Sequence, residues 1–258
     1  MADLDIVVPV YNEGRNVIPM LDALHRHVRV SFRVLICYDM EEDNTLDALR
    51  EYPAGKVDVV LIKNPQPGEG PHGAVRAGLA ASTSPAVLVY MADDDYNADV
   101  IDRMYERFAT GCHVVAASRF IDGGCMTGCH WLKETITRVG SFFLNHLAGL
   151  PVHDGTNAFR LFSRRLLTTV EIESRQGFTF SVELLAKAVR LGWAVGEVPA
   201  RWFERVDKPS RFRVARWLPA YLYWLLYACS TRWLAARRVT QRLPRADLAS
   251  GAARPSDN

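Results

Sequence analysis

The chain has 258 residues, and 49% of them are hydrophobic. This length and composition exclude a disordered protein and are sufficient for one large α/β domain with a small appendage. The net charge is only +2, and no basic stripe interleaved with aromatic residues is present, so nucleic acid is not an expected partner.

Apolar runs of strand length recur through the first half of the chain, and helix-length amphipathic stretches separate them. Strands that are apolar on both faces and alternate with helices predict a Rossmann-like, mostly parallel sheet covered by helices on both faces. Ligands bind such sheets at the carboxyl ends of the strands. The predicted strands are Leu4 to Val10, Arg33 to Tyr38, Val57 to Ile62, Ala86 to Met91 and His113 to Ser118.

Acidic and amide side chains follow three of these strands. Asn12 and Glu13 follow the first and Asp39 follows the second, while the run Asp93 to Asp95 follows the fourth. The carboxyl ends of parallel strands meet at one edge of the sheet, so these groups are expected to share one rim.

The run of three aspartates is the most informative local feature. Carboxylates this close repel one another unless a cation intervenes, and Mg²⁺ or Mn²⁺ takes oxygen ligands and bridges to phosphates. The run therefore indicates a metal and diphosphate site. The alternative is an acidic turn at the start of a helix from about Asn97 to Ala109, capped by Asp95 or Asn97.

A different pattern follows Ser118. A long helix, a short strand, a second helix and a further strand are predicted, and they are interpreted as an acceptor-side extension of the same domain. Their approximate bounds are Trp131 to Ala148, Ala158 to Phe162, Phe178 to Leu191 and Ala194 to Arg201.

The C-terminal part is rich in arginine and is expected to bind anions. Residues 206–213 have the composition of a mobile basic flap, and residues 244–258 that of a disordered tail. Between them, an apolar and aromatic stretch from Trp217 to Leu234 is flanked by arginines. Its uninterrupted apolar part is too short to span a bilayer, and it suits a helix of residues 214–243 lying in a membrane interface through residues 214–238. The alternative is a core helix or a helix that pairs two copies in a homodimer.

The cysteines and the N-terminus predict a cytoplasmic protein, and the arginine-flanked apolar helix predicts its peripheral association with the cytosolic face of the membrane. The chain begins with a strand pattern and not with a signal peptide. Cys125 and Cys129 with His130 lack the second ligand pair of a zinc site. The five cysteines form no even disulfide framework: Cys37, Cys112, Cys125, Cys129 and Cys229.

Read in order, a series of short motifs resembles the family 2 glycosyltransferases, and within them the dolichol-phosphate mannose synthase-like group. The resemblance extends to about Ala228. The motifs are Val8-Pro9-Val10-Tyr11-Asn12-Glu13; Tyr38-Asp39 with Asp43 and Thr45; Gly70 to Gly78; Met91 to Asn97; Ser118-Arg119-Phe120; Asp154 to Arg160; Gly177 to Gly192; and Glu197-Val198-Pro199 with Arg205 to Arg211.

The resemblance implies a GT-A type fold in residues 1–205, with a nucleotide-binding half (1–118) and an acceptor half (119–205). It implies a nucleoside-diphosphate sugar donor of the GDP-mannose or UDP-glucose type, and it places the Asp-x-Asp metal ligands at Asp93 and Asp95, with Asn97 beside them. The implied donor-binding residues are Pro9, Tyr11, Glu13, Asp39, Gly73, Arg76, Asp94 and Arg211.

The acceptor is expected to be a polyprenyl or dolichyl phosphate. Lys133, Thr137 and Ser141 are spaced four apart and share one helical face, which could receive a phosphate or could simply be a polar solvent face. The resemblance implies that Arg119, Lys133 and Thr137 hold the lipid phosphate, and Arg138 is a further candidate.

The expected reaction is a direct displacement that inverts the anomeric carbon. The residues expected to act in it are Asp93, Asp95, Arg119, Asp154 and Arg205. A phosphate monoester is already anionic at neutral pH and needs no strong base, whereas a hydroxyl acceptor, the second hypothesis, would need one.

Asp154 and Glu183 are the candidates for that base, although Glu183 could instead pair with Lys187 across an exposed turn. A third hypothesis is a catalytically silent nucleotide-sugar-binding scaffold at the membrane. It is favoured by Tyr38, which stands where the family usually has the first aspartate of a pair.

Overall fold

Strands and helices alternate along most of the chain. The computed structural model describes residues 2–68, 70–204 and 214–233, with the backbone alone for 214–216. The strands are β1 (Leu4–Pro9), β2 (Phe32–Tyr38), β3 (Val59–Lys63), β4 (Ala86–Val89), β5 (Val114–Ser118), β6 (Cys125–Thr127), β7 (Arg160–Ser163), β8 (Val195–Pro199) and β9 (Arg201–Phe203). The helices are α1 (Val17–His27), α2 (Asn44–Arg50), α3 (Pro71–Ala81), α4 (Ile101–Ala109), α5 (Trp131–His146), α6 (Arg164–Thr169), α7 (Phe180–Arg190) and α8 (Val214–Trp233).

Seven strands form one sheet in the order β3-β2-β1-β4-β7-β5-β8. The predicted strands of the first half are all present, and the two later ones appear as β7 and β8. The pairs β1–β2, β1–β4, β2–β3 and β5–β8 are parallel. The predicted mostly parallel sheet is therefore confirmed.

Alternate residues of the central strands enter two separate cores. Ile6 and Val8 of β1 pack in the core that contains residues of α1, α2 and α4, while Val7 packs in the core that contains residues of α3, α7 and α8. Successive side chains of a strand point to opposite faces, so a strand covered on both sides must be apolar at every position. The sequence of β1 shows this pattern except at Asp5, which is buried and paired with Arg33.

Strand β7 runs antiparallel to both neighbours, β4 and β5. Its apolar pattern does not reveal this direction, because a strand buried on both faces looks the same either way. Strands β6 and β9 form a separate two-stranded ribbon that sequence patterns did not predict. Three residues are too few to show a period.

Helix α8 confirms the helix predicted from Trp217 to Leu234. Trp224 and Ala228 on one side of it are buried in the core, whereas Tyr223 and Leu226 are exposed. Among the residues described, no helix combines the length and the apolarity needed to cross a bilayer. The predicted flap and tail (206–213 and 244–258) lie outside the described residues.

Helix α3 packs closely on the sheet because of a glycine. A Cβ atom added to Gly78 would lie 2.5 Å from both Cys37 Sγ and Val7 Cγ1. Both neighbours are fully buried and cannot move away. Gly78 therefore sets the distance between α3 and strands β1 and β2.

We expect Gly78→Ala to lower the free energy of unfolding by about 1–3 kcal/mol, because the added methyl overpacks this contact. Gly140→Ala in α5 is the matched control, since its Cβ would meet only Thr156 Cγ2 at 3.6 Å, an ordinary contact. The control should be neutral or more stable by up to about 1 kcal/mol, as alanine favours a helix over glycine. Urea denaturation measures both, and equal effects would contradict the packing argument.

Candidate active site

A large cavity lies at the carboxyl ends of the parallel strands. Its volume is ≈ 1360 Å³, larger than the roughly 300–1000 Å³ of most small-molecule sites. Residues at the ends of β1, β2 and β4 line one side of it, and residues of α5, α7 and α8 line the other. The cavity is therefore large enough for two substrates side by side.

Two side chains hold the backbone of the loop after β1 in place: Asp43, the N-cap of α2, and Thr45 in its first turn. The backbone N–H of Asn12 donates to Asp43 Oδ2 at 3.0 Å, and that of Glu13 donates to Thr45 Oγ1 at 3.0 Å. These bonds hold Asn12 at a φ of 51°, an unusual conformation for a residue other than glycine. Asp43 and Thr45 thus act through the backbone and place Tyr11 and Glu13 at the cavity wall.

Asp39 follows β2 and also lines the cavity. Its Oδ1 accepts a hydrogen bond from Asn64 Nδ2 at 2.9 Å, and Asn64 is itself buried and bonded to Gln66. The neighbouring strand therefore fixes the direction of the Asp39 carboxylate. Pro9 also lines this part of the cavity.

The first turn of α3 reaches the cavity through residues other than those expected. Gly70, Pro71 and Ala74 line it, whereas the predicted donor contacts Gly73 and Arg76 are not among the lining residues. Gly73 is buried in the helix. The first turn of α3 thus lies at the cavity, and the donor contacts of Gly73 and Arg76 stay predictions.

The three aspartates after β4 divide into one buried and two exposed carboxylates. Asp94 is 7% exposed, and its Oδ1 accepts hydrogen bonds from the backbone N–H groups of Tyr96 and Asn97 at 3.3 and 3.0 Å. Burial raises the pKa of Asp94 to about 6 despite these bonds. Asp93 and Asp95 are exposed; Asp93 lines the cavity, and Asp95 lies on the same loop without being a lining residue.

Asn97 has a different role from the one expected. Its Nδ2 donates to Asp94 Oδ2 at 2.7 Å and to the carbonyl of Arg201 at 2.9 Å, and its Oδ1 accepts from the backbone N–H of Arg201 at 2.8 Å. Because both the nitrogen and the oxygen of this side-chain amide are already hydrogen-bonded, the structure does not support Asn97 as a metal ligand. Asn97 instead ties the aspartate loop to β9. The helix-cap alternative is not supported for Asn97 either, since its side chain makes no capping bond to the 3-10 turn that precedes α4.

The acidic rim fits a divalent ion that shares its ligands with a substrate. Within the described ranges, no group of three or more His, Cys, Asp or Glu side chains could hold a metal by itself. Mg²⁺ typically binds to one or two carboxylates plus substrate phosphates and keeps several waters. Two exposed carboxylates on one loop suit that mode of binding and not a closed structural site.

A buried ion pair lies at the end of β5 beside the cavity. Arg119, at the end of β5, donates from Nε to Asp154 Oδ2 at 2.6 Å and from Nη2 to Asp154 Oδ1 at 2.9 Å. The backbone N–H of Arg119 also donates to Asp154 Oδ2, at 3.1 Å. Arg119 lines the cavity and Asp154 does not.

Asp154 is consequently not a general base. Its burial would raise its pKa, but the Arg119 guanidinium outweighs that effect and holds the pKa of Asp154 below its usual range. Burial likewise opposes the charge of Arg119, and Asp154 raises the pKa of Arg119 above its usual value. A fully buried carboxylate engaged by an arginine is a positioning group, which corrects the catalytic role expected for Asp154.

A second buried arginine, Arg160, supports the same region. Its guanidinium donates to the carbonyl of Ser181 at 2.5 Å and to that of Asp154 at 3.2 Å. Complete burial lowers the pKa of Arg160 to about 10. Arg160 therefore links the loop that carries Asp154 to helix α7.

Of the residues predicted on helix α5 to bind the acceptor phosphate, some line the cavity and one does not. Lys133 and Thr137 line the cavity, and Ser141 is buried beneath them within 3.5 Å of Asp154 Oδ1. Arg138 points elsewhere: it pairs with Glu134 at 2.8 Å on the exposed face. The shared face of Lys133, Thr137 and Ser141 is confirmed, whereas a phosphate-binding role for Arg138 is not supported.

Glu183 pairs with Lys187 at 2.7 Å, but both side chains are completely buried and not on an exposed turn. The other contacts of Glu183 are the backbone N–H groups of Glu173 and Ser174, at 2.7 and 2.9 Å. Glu183 does not line the cavity. The structure therefore excludes it as a base for the cavity. The remaining predicted residues, Arg205 and Arg211, lie outside the described residues.

Four cavity-lining or supporting residues were missed by sequence reasoning: Asn64, Trp202, Glu204 and Tyr221. Asn64 directly follows a strand, as Asp39 does, and that position was a usable signal. Trp202 and Glu204 belong to the unpredicted ribbon strand β9 and its end. Tyr221 was counted only as apolar surface of α8, although it lies near Arg119 and Arg160.

A sequence model of the family described as Glycosyl transferase family 2 matches residues 5–170 of the chain. The chain is 24% identical over 235 residues to a polyprenol monophosphomannose synthase of Mycolicibacterium smegmatis, which covers 82% of this chain and 85% of that protein. It is 27% identical over 210 residues to a dolichyl-phosphate hexose transferase of Haloferax volcanii, covering 80% of this chain and 85% of that protein.

Among solved structures, the fold is similar to that of glucosyl-3-phosphoglycerate synthase from Mycobacterium tuberculosis in complex with Mn²⁺, UDP and glucosyl-3-phosphoglycerate. The TM-score is 0.64 at 18% identity, with 89% of this chain and 80% of that chain covered. This similarity concerns the fold alone, and it confirms the predicted GT-A type α/β architecture.

Replacement of Asp154 by asparagine should lower the free energy of unfolding by about 3–5 kcal/mol, because Arg119 would keep a buried charge without its partner. Asp22→Asn is the control, since Asp22 pairs with Lys56 at 2.7 Å on a partly exposed surface, and it should cost less than about 1 kcal/mol.

The effect of Asp154→Asn should also depend on pH. The pKa of Asp154 is lowered in the folded state, so its contribution is present above its unfolded pKa of about 4 and is lost as pH falls below that value through the folded pKa. Urea denaturation at several pH values measures the difference between wild type and variant. A difference that grows in acid would contradict the assigned ion pair.

Proposed function

The chain belongs to glycosyl transferase family 2 and is a glycosyltransferase, and we propose that it moves a sugar from a nucleoside-diphosphate sugar to a polyprenyl phosphate. The observation that carries this proposal is the arrangement of one cavity. The exposed carboxylate of Asp93, the cations Arg119 and Lys133, and apolar residues of α5, α7 and α8 all line this same cavity. Two of its curated relatives are named for transfer to polyprenyl or dolichyl phosphate.

The carboxylate side suits the donor. Asp93 and Asp95 are exposed while Asp94 is buried, so the two outer carboxylates are the ones proposed to bind Mg²⁺ or Mn²⁺. When bound, such an ion would neutralise charge on the departing diphosphate. The structurally similar synthase was solved with Mn²⁺ and UDP. Pro9, Tyr11, Glu13 and Asp39 line the adjacent wall and are proposed to contact the nucleoside.

The cationic side suits an anionic acceptor. Arg119 is oriented by Asp154, and Lys133 lies one turn before Thr137 on the cavity face of α5. A phosphate monoester carries about −1.5 to −2 charge at neutral pH and can attack the anomeric carbon directly. Direct attack would give an inverted product. Asp154 and Glu183, the two bases predicted for a hydroxyl acceptor, do not line the cavity.

The apolar end of the cavity suits the chain of a lipid. Phe143 and Leu144 of α5, Val182 of α7, and Leu222 and Leu225 of α8 line it. Burial of a polyprenyl chain here would stabilise the complex by about 25 cal/mol for each Å² of apolar surface removed from water. These residues lie where the first isoprene units would follow the phosphate.

The outer faces of α5 and α8 support association with a membrane surface. Their exposed apolar side chains include Trp131, Leu132, Val139, Phe142, Leu147, Tyr223, Leu226 and Trp233. Aromatic and apolar groups bordered by arginines favour the interface of an anionic membrane. We infer peripheral binding to the cytosolic face through these helices, which widens the surface predicted for residues 214–238.

Purified protein incubated with a panel of nucleotide sugars should glycosylate polyprenyl phosphate and leave polyprenol of the same length unmodified, as read by mass spectrometry. Chelation of divalent ions by EDTA should abolish transfer, and Mg²⁺ or Mn²⁺ should restore it. Asp93→Ala should reduce kcat/KM at least about a thousandfold, because charge on the leaving diphosphate would lose its main stabilisation.

Asp93 is exposed, so the variant should unfold at the same urea concentration as wild type. Asp47→Asn is the matched control, because Asp47 forms an exposed ion pair with Arg50 on α2 and should retain full activity. Full transfer by Asp93→Ala at saturating donor would overturn the metal site. Transfer to polyprenol instead would favour the hydroxyl-acceptor hypothesis.

Leu226→Glu should reduce sedimentation with liposomes containing anionic lipid by about tenfold, because a charge replaces an apolar group that is 67% exposed on α8. Leu61→Glu is the matched control: Leu61 is 49% exposed, but it lies on β3 and away from α8. Its sedimentation should match that of wild type. If Leu226→Glu leaves liposome binding unchanged but dissociates a dimer in solution, α8 pairs two copies instead.

A further inference from the structure

Strand β9 contacts the donor side and the acceptor side of the cavity through alternate residues. The side chain of Arg201 donates to the carbonyl of Tyr96 in the aspartate loop and to Asp99 just after it, and the ring of Phe203 lies 5.0 Å from that of Tyr96, edge to face. The residues that alternate with these two along the chain, Trp202 and Glu204, both contact Lys133 of α5. Successive side chains of a strand point to opposite sides, which explains this division.

Lys133 is held by these two residues within the cavity. Its Nζ lies 3.0 Å from Glu204 Oε2 and 4.2 Å from the centre of the Trp202 ring. The side chains of Lys133 and Glu204 are 20% and 25% exposed, so the pair is largely shielded from solvent. All three residues line the cavity together with Arg119.

The carboxylate of Glu204 is therefore paired with Lys133, the cation that the proposed function assigns to the acceptor phosphate. We propose that Glu204 is an exchangeable counter-ion of Lys133: the phosphate monoester of the acceptor displaces it, and it pairs with Lys133 again once transfer has made the phosphate a diester. This inference rests on the proposed function, because it names the acceptor as a phosphate monoester.

The direction of exchange follows from charge. A phosphate monoester carries about −1.5 to −2 charge at pH 7, more than the single charge of a carboxylate. Transfer of a sugar turns the monoester into a phosphodiester with a charge of −1, which no longer exceeds that of Glu204. The carboxylate therefore yields to the substrate and competes well against the product.

Trp202 keeps Lys133 in place during the exchange. The ammonium group lies over the ring face, where a cation–π interaction is retained when Glu204 moves away. Arg119 is neutralised by Asp154, whereas Lys133 would lose the carboxylate that neutralises it if Glu204 were absent. Glu204 thus neutralises the site between turnovers, and its return promotes release of the product.

The test is the affinity of the Glu204→Gln variant for acceptor and for product. The variant should bind polyprenyl phosphate in detergent micelles, without donor, about three- to tenfold more tightly than wild type, since a partly shielded ion pair no longer competes. Its KM for the acceptor should fall by a similar factor, and inhibition by the purified glycosyl phosphodiester product should strengthen equally. Loss of a merely structural contact would weaken binding instead.

A double-mutant cycle tests whether the change in acceptor affinity depends on the ion pair between Lys133 and Glu204. In a Lys133→Met background, Glu204→Gln should produce no gain in acceptor affinity, because the carboxylate has no cation left to compete for. Glu204→Asp should restore part of the competition. Glu106→Gln removes an exposed charge of α4 and should leave acceptor affinity unchanged.

The outcomes separate the two levels of the proposal. If wild type binds neither polyprenyl phosphate nor its glycosylated product, the proposed acceptor is wrong. If wild type binds and transfers to polyprenyl phosphate while Glu204→Gln binds it no more tightly, the acceptor assignment stands and the exchange is refuted. A gain that persists in the Lys133→Met background would also refute it.

Discussion

The buried ion pair between Arg119 and Asp154 connects the elements that line the cavity around the end of β5. Removing both charges from water is costly, and the cost is offset here by three hydrogen bonds between the two residues. Ser141 of α5 lies within reach of the same carboxylate, and Arg160 bonds the carbonyl of Asp154. The end of β5, helix α5 and the loop before β7 are thereby fixed to one another, and the guanidinium reaches the cavity in a single orientation.

Carboxylates and cations line the same cavity. A rim of carboxylates repels a diphosphate unless a cation stands between them, which is the physical reason for including a divalent ion in the proposed function. The cations that line the cavity cannot supply that shielding, because Asp154 and Glu204 already engage Arg119 and Lys133. The same ion pairs keep the cations oriented for an anion of higher charge than a carboxylate.

Patterns that repeat along the chain could be predicted from sequence, and single contacts could not. Apolar runs located the strands of the main sheet, and spacing by four placed Lys133 and Thr137 on one face of α5. The same periodicity argues against Arg138, which is five residues from Lys133 and therefore about 140° around the helix. The inward turn of Asp94 and the commitment of Asn97 to Arg201 depend on the ribbon strand β9, which is too short to leave a pattern.

The geometry gives the two proposed substrates separate routes to one point. The nucleotide side of the cavity is bordered by polar loops after β1, β2 and β4, whereas the apolar side is formed between α5 and α8. The outer faces of those two helices carry the exposed apolar side chains, and a lipid held by its phosphate at Arg119 would leave the cavity on that side. A donor arriving from water and an acceptor arriving from a membrane would therefore meet without passing each other. Such a cavity keeps the phosphate in the protein while most of the lipid chain stays in the bilayer, which is the arrangement that an enzyme bound to a membrane surface requires.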